Sequence, residues 1–325
     1  MARVTVGARL HFGFQNLSLA RERLYGGLGV ALESPTVSVE ARSADEVRCD
    51  DPRADRYARR ATDLLGIAGA DVRVRDALPG HVGLGSGTQL ALAVLAAVAR
   101  AHDRPANVRE NAPALDRGGR SGVGVSTFEG GGFVVDAGHP TERFTTARPA
   151  RGEWLVPPVV ARHDVPDDWR FVVVLPDAES GRSGDDEDAS MRSVVERADP
   201  AIADEVSATL LRRALPAVAG DDPETFGSAV AEIGRLNGAW YADEQGGVYR
   251  PPVGELVTAM EASPSVFGAG QSSWGPAVYG VTTRGRADAA VEAAEAALDA
   301  AGVGGDVRVA RPRNRGASVN CKTRD

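Results

Sequence analysis

Residues 78–101 read LPGHVGLGSGTQLALAVLAAVARA, in which four glycines and two hydroxyls run into ten uncharged apolar residues from Leu90 to Ala99. A helix apolar on every side belongs inside a core, so this stretch sets a buried helix with a glycine loop ahead of it. Ser86 or Thr88 is expected to cap the first turn through a side-chain oxygen, and the glycines tolerate positive φ and close backbone approach. Unpaired N–H groups and the positive end of the helix dipole then converge on one point, which suits an anion. The segment lacks the Gly-Lys-Ser/Thr ending of a Walker A loop, and Thr88 stands where G-x-G-x-x-G needs its third glycine. A plain tight turn before a core helix satisfies the same spacing.

A chain of 325 residues is long enough for about two domains, and its 43% hydrophobic and 25% charged content is that of a globular protein. The run 90–99 is too short to cross a bilayer and MARVTVGARL has no apolar signal core, so no membrane partner and a cytoplasmic location are expected. A net charge of −8 argues against a nucleic-acid partner. Lys322 is the sole lysine. Any phosphate must therefore be held by arginine, backbone N–H groups or a metal ion. Cys49, Cys321 and five scattered histidines show no metal-ligand spacing.

In chain order, 3–9 alternates as a strand, 15–24 reads as a turn-prone segment, and 26–32 and 36–41 read as two further strands. Residues 55–65 have helical spacing and 72–75 form a short strand leading into the glycine loop. Residues 107–115 read as a short helix interrupted at Pro113, and 116–125 as a glycine-dense turn. Its Arg117 and Arg120 suit phosphate oxygens, while a surface turn is the alternative. Gly130-Gly131-Gly132 leads into a strand ending at Asp136. Prolines between 137 and 168 mark a domain boundary, giving domains 1–160 and 161–325. Residues 169–175 form a buried strand, 180–190 an acidic polar loop with metal binding as the alternative, and 194–218 and 226–236 helices. A third glycine group, 268–276, precedes a strand at 277–281, a helix at 286–301 and a strand at 306–310. This order implies an α+β architecture.

Here the pattern meets a family. Arg9-Leu10-His11-Phe12-Gly13, Gly26-Gly27-Leu28-Gly29-Val30, Gly83-Leu84-Gly85-Ser86-Gly87-Thr88-Gln89, Ser121-Gly122-Val123-Gly124, Gly270-Gln271-Ser272-Ser273 and Asn314-Arg315-Gly316-Ala317 recur along nearly the whole chain. Together they resemble the GHMP superfamily of small-molecule kinases, and within it the beta-ribofuranosylaminobenzene 5'-phosphate synthases. The resemblance implies a two-domain fold, with a left-handed crossover in the N-terminal domain, a ferredoxin-like C-terminal domain and a site in the cleft between them. It implies transfer of ribosyl 5-phosphate from phosphoribosyl pyrophosphate to 4-aminobenzoate or a related aromatic acid, with loss of carbon dioxide and pyrophosphate. That reaction serves methanopterin-type cofactor synthesis in archaea and consumes no ATP.

The resemblance also implies roles. Gly83, Gly85, Ser86, Gly87, Thr88, Arg120 and Ser121 would bind phosphate, His11, Gly270, Gln271, Ser272 and Ser273 would bind substrate, and Mg2+ would be the cofactor with its ligands unassigned. A homodimer is compatible with it. The group tends to read His-Phe-Gly-Leu-Ile-Asp-Leu and then Arg-x-Asp-Gly-Gly, whereas this chain has Asn16 and Tyr25 at the two acidic positions and keeps Arg23. An amide neither takes a proton at neutral pH nor binds magnesium as a carboxylate does. Asn16, Arg23 and Asp116 are the catalytic candidates. Two other readings stay open: an ATP-dependent GHMP kinase with Asp116 as base, and a ligand-binding regulator that has lost catalysis.

Overall fold

The computed structural model describes residues 1–145, 150, 152–179 and 185–321, so Lys322 and residues 180–184 of the acidic segment lie outside the described residues. β1 (Ala2–Asn16) and β2 (Arg23–Ala44) form a long antiparallel hairpin, paired from Ala2 with Ala41 to Asn16 with Tyr25. β3 (Arg48–Cys49), α1 (Pro52–Leu65) and β4 (Gly69–Asp76) follow, then α2 (Ser86–Ala101) and the single turn α3 (Val108–Asn111). After them come α4 (Val123–Gly130), β5 (Phe133–Asp136), β6 (His139–Pro140), α5 (Glu142–Thr145) and β7 (Val159–His163). The second half runs β8 (Trp169–Pro176), α6 (Asp185–Arg197), α7 (Pro200–Thr209), α8 (Leu215–Ala219), α9 (Pro223–Gln245) and α10 (Val253–Glu261). It closes with β9 (Gly268–Gln271), β10 (Val278–Thr283), α11 (Ala287–Ala301), β11 (Gly305–Ala310) and β12 (Ser318–Cys321).

Two sheets result among the described residues. The first runs β12-β1-β2-β4-β3, with β5 and β6 also on β2 and β7 on β5, so the last strand returns to the first. The second is antiparallel in the order β11-β8-β10-β9, the strand order of a ferredoxin-like domain. α2 lies across β1 and β2, and every residue from Gln89 to Ala99 is buried, as its uncharged sequence requires. At the junction of the sheets Phe12 packs its ring against Phe133 of β5, Phe226 of α9 and Tyr279 of β10, with centroids 6.3, 6.0 and 4.9 Å away. The α+β architecture expected from the sequence is the one observed.

Several local expectations are corrected. Residues 26–32 and 36–41 belong to one 22-residue strand, because β1 pairs with both stretches of β2 across a bulge between Gly7 and Arg9. Gln15 and Asn16 end β1 instead of opening a loose segment, and Leu17 and Ser18 are buried. The glycine-dense turn stops at Gly122, because Val123, Val125 and Phe128 are buried on the helix α4 that follows. Ser86 and Thr88 do not cap α2. Gly85 does so with its backbone, at φ 78°, and no side chain bonds to the first turn. The region 194–218 is broken by a cap at Asp199, whose carboxylate accepts from Ala201 N. Asp185 starts a helix where an acidic loop was expected.

Candidate active site

The glycine loop is held from two sides. Arg9 donates through its backbone N to Leu84 O (3.1 Å) and through Nη1 to Gly83 O (2.5 Å). Ser272 donates through Oγ to the same Gly83 oxygen (2.8 Å) and accepts from His11 N (3.0 Å), while Ser273 N donates to His11 O. One buried serine thus joins the first strand, the loop and the third glycine group. The approach is close enough that a Cβ at Gly275 would lie 2.0 Å from the Val82 carbonyl carbon. Gly270 leaves room for the Tyr279 hydroxyl, and Gln271 accepts from Arg250 N and donates to Ser273 O.

A second web fixes the Arg120–Ser121 turn. Asp136, at the end of β5, is fully buried and accepts from Ser121 Oγ (3.1 Å), Gly122 N (2.7 Å) and Gly138 N (2.9 Å). Burial pushes its carboxyl up to about 6, against the pull of those donors. Ser121 Oγ also lies 3.1 Å from His11 Nε2 and accepts from Val123 N. Since the single Ser121 proton goes to Asp136, a neutral His11 carries its proton on Nε2 and donates it to Ser121. Burial, with Arg9 as a smaller cause, pushes His11 down to about 3, so its imidazole adds no positive charge to the site at neutral pH.

Beside both webs opens a cavity of about 610 Å³. It is lined by six arginines, Arg9, Arg56, Arg60, Arg117, Arg120 and Arg192, against two carboxylates, Asp116 and Glu196. Six aromatic side chains, Phe14, Tyr25, Tyr57, Phe144, Trp154 and Trp274, share the wall. In an acidic chain this concentration of guanidinium groups points to a polyanion. Arg56 and Arg117 both stack on Tyr57 and donate to its hydroxyl, which holds two forks at one place. The Arg117 Nε is buried with no partner among the described residues, an orphan donor that a bound anion would satisfy.

The expected site residues do not all face the cavity. His11, Thr88, Asp116, Arg120, Ser121 and Ser273 line the cavity. Gly83, Gly85, Ser86 and Gly87 form the turn behind Thr88. A Cβ at Gly85 would lie 2.9 Å from Arg9 Cγ and one at Gly87 would lie 3.3 Å from Arg117 Nη2, so their bareness lets both arginines lie on the loop. Asn16 and Arg23 serve the backbone. Asn16 donates to Ser18 O and Arg23 O and accepts from Ser18 N, while Arg23 donates to Ala137 O and Gly138 O. Asp116 is ion-paired to Arg60 at 2.6 Å. Asp136, Arg56, Tyr57, Trp154 and Arg192 were not picked out from the sequence. The only signal for Asp136 is a carboxylate closing the apolar run Phe133-Val134-Val135.

These buried groups set a pH dependence. His11, and His139 pushed down to about 4 chiefly by burial, bind protons in the unfolded chain below pH 6.5 but not in the fold. Asp136 has the opposite sign, holding its proton in the fold up to about 6. Two groups lose stability on acidification and one gains it, so stability should fall by about 1.4 kcal/mol per pH unit between about pH 6 and 4. Melting temperatures across that range check this, and a rise on acidification would contradict the buried neutral imidazoles.

Residues 54–132 match the family described as GHMP kinases N terminal domain, and residues 212–300 match GHMP kinases C terminal. Among solved structures, mevalonate kinase from Methanococcus jannaschii superposes with a TM-score of 0.68 at 12% identity, covering 96% of this chain and 98% of that one. Homoserine kinase from Cytophaga hutchinsonii gives 0.65 at 18% identity, covering 98% and 97%. These share the fold. Closer in sequence is the beta-ribofuranosylphenol 5'-phosphate synthase of Methanothermobacter thermautotrophicus, 32% identical over 97% of both chains. The synthase of that name from Methanocaldococcus jannaschii is 28% identical over 96% of this chain and 98% of its own. Identity sustained at this level from end to end, on a fold common to the kinases, means that the chain belongs to the GHMP superfamily, alongside the beta-ribofuranosylphenol 5'-phosphate synthases.

Proposed function

We propose that the protein transfers ribosyl 5-phosphate from phosphoribosyl pyrophosphate to the carboxylate-bearing ring carbon of a para-substituted benzoate, releasing pyrophosphate and carbon dioxide. The bond from ribosyl C1 to pyrophosphate oxygen breaks with its electron pair leaving on oxygen. A carbon–carbon bond forms from the ring to C1, and the pair of the ring–carboxylate bond returns to the ring as carbon dioxide departs. The relatives are named for a phenol product, so 4-hydroxybenzoate stands beside the expected 4-aminobenzoate as acceptor. The observation that carries this reading is the cavity in which six arginines and six aromatic side chains face one space.

In that cavity Arg9 and Arg117, lying on the glycine loop, together with Arg120 and the start of α2, would hold the pyrophosphate and stabilise the charge it gains on leaving. Arg56, Arg60 and Arg192 remain for the 5'-phosphate, and the aromatic walls suit a planar acceptor. Among the described residues no cluster of three metal-ligating side chains occurs. Magnesium borne on substrate phosphates needs only one or two protein carboxylates, and Asp116 and Glu196 are those at hand. Bound there, the ion would neutralise phosphate charge. A kinase mechanism with Asp116 as base would first have to free that carboxylate from Arg60.

Calorimetry with phosphoribosyl pyrophosphate tests the reading. Arg120→Ala should weaken binding by about tenfold or more, since a charge-assisted contact is lost. Arg100→Ala should change little, because Arg100 ends α2 paired with Asp103 at 3.4 Å. Equal small effects would return the Arg120 turn to an ordinary surface loop.

A further inference from the structure

A smaller pocket of about 50 Å³ adjoins the arginine cavity, with His11, Phe14, Ser273 and Trp274 lining both. Its far wall is α9, at Gly234, Asn237 and Gly238, facing Tyr249 and Gln271. Two of the polar side chains here are tied to the protein. Asn237 bonds to Phe14 N, Phe14 O and Ile233 O, and Gln271 bonds to Arg250 N and Ser273 O. The Tyr249 hydroxyl is buried and has no hydrogen-bond partner among the described residues. An unsatisfied buried hydroxyl in a pocket wall is uncommon and calls for a ligand group.

Gly234 is the second observation. A glycine inside a helix is less favourable than alanine and needs a reason. Gly238 has one, because a Cβ there would lie 2.1 Å from Val248 O. At Gly234 a Cβ would meet nothing nearer than Tyr279 Oη at 3.8 Å and Tyr249 Oη at 3.9 Å, so packing does not demand glycine. The space it leaves open faces the orphan hydroxyl.

Resting on the transferase reading above, we propose that this pocket seats the para substituent of the acceptor, hydroxyl or amine, with Tyr249 as its hydrogen-bond partner. Its volume exceeds the roughly 15 Å³ that one water needs and falls below the ~150 Å³ of a cavity that takes benzene. The substituent and the ring edge enter, and the rest of the ring stays at the mouth beside Phe14 and Trp274. The opposite ring carbon, which bears the carboxylate, then faces the arginine cavity where ribosyl C1 is held. Burial raises the Tyr249 phenol to about 12, so it keeps its proton at neutral pH and can both donate and accept. Tyr249 and Gly234 are therefore specificity determinants for the para position.

The test is to titrate 4-hydroxybenzoate, benzoate and phosphoribosyl pyrophosphate into the full chain and its Gly234→Ala and Tyr249→Phe variants, and to follow pyrophosphate release. Gly234→Ala should melt no lower than the parent, because a helical glycine gives way to alanine without a clash. It should bind 4-hydroxybenzoate about tenfold or more weakly, as one added methyl does in a filled pocket, while phosphoribosyl pyrophosphate binding stays within about twofold. Tyr249→Phe should erase the preference for 4-hydroxybenzoate over benzoate. Unchanged 4-hydroxybenzoate affinity in Gly234→Ala, retained preference in Tyr249→Phe, or no binding to the parent overturns the pocket assignment. If 4-hydroxybenzoate binds and depends on both residues but no pyrophosphate is released, the pocket stands and the transferase reading fails.

Discussion

Gly27→Ala should reduce turnover by at least about 100-fold, because an error of ~1 Å in a positioned group costs that much. A Cβ at residue 27 would lie 2.1 Å from Ser121 Oγ and 2.9 Å from His11 Nε2, so the methyl and the hydroxyl cannot coexist. Ser121 must leave its place between His11 and Asp136, and Arg120 moves with it. The same overpacking should lower stability by about 1–3 kcal/mol, which leaves a folded protein to assay. The checks are steady-state rates and a melting curve on one preparation. Wild-type turnover in a folded Gly27→Ala protein would remove the Ser121 web from the account.

Asp136→Ala should cost about 3 kcal/mol or more, because it strands several buried donors at once, each worth ~1–3 kcal/mol when left unpaired. Those donors are Ser121 Oγ, Gly122 N and Gly138 N, and they fix the turns on either side of β5. Asp136→Asn keeps one acceptor oxygen but turns an N–H toward the other donors, so it should fall between alanine and the parent. Chemical denaturation of the three proteins measures this order. An alanine variant as stable as the parent would mean that the carboxylate does not hold the turns.

The glycine loop, the buried helix behind it and the Arg120–Ser121 turn were legible in the sequence, because glycine density and an uncharged run report burial and close approach directly, whereas His11 and Ser273 were reached only through the family resemblance. The cavity's other wall was not legible. Arg56, Tyr57 and Arg60 sit on α1, whose apolar spacing marks Tyr57 as buried but does not show that Arg117 stacks on its ring or that Arg56 and Arg60 line a cavity with Arg120. Asn16 occupies a position where the related pattern has a carboxylate. Only the fold shows its amide tying Ser18 to Arg23 through three hydrogen bonds. The sequence pattern gives residues 26–32 and 36–41 as separate strands, whereas pairing with β1 continues on both sides of Ser34-Pro35. Local chemistry is visible in a sequence to the extent that neighbours in the chain supply it. Asp136 draws two of its partners from residues 121 and 122, and nothing local announces them.

In the proposed reaction one cavity joins a phosphorylated ribosyl donor to an aromatic acid with loss of its carboxylate. Incubating the protein with magnesium, phosphoribosyl pyrophosphate and carboxyl-labelled 4-hydroxybenzoate or 4-aminobenzoate tests it most directly. Labelled carbon dioxide and pyrophosphate should appear in equal amounts with at least one acid, and neither should form when the donor is left out. Formation of ADP from ATP and a small alcohol, with no pyrophosphate or carbon dioxide from either benzoate, would contradict the account and assign the arginine cavity to a kinase.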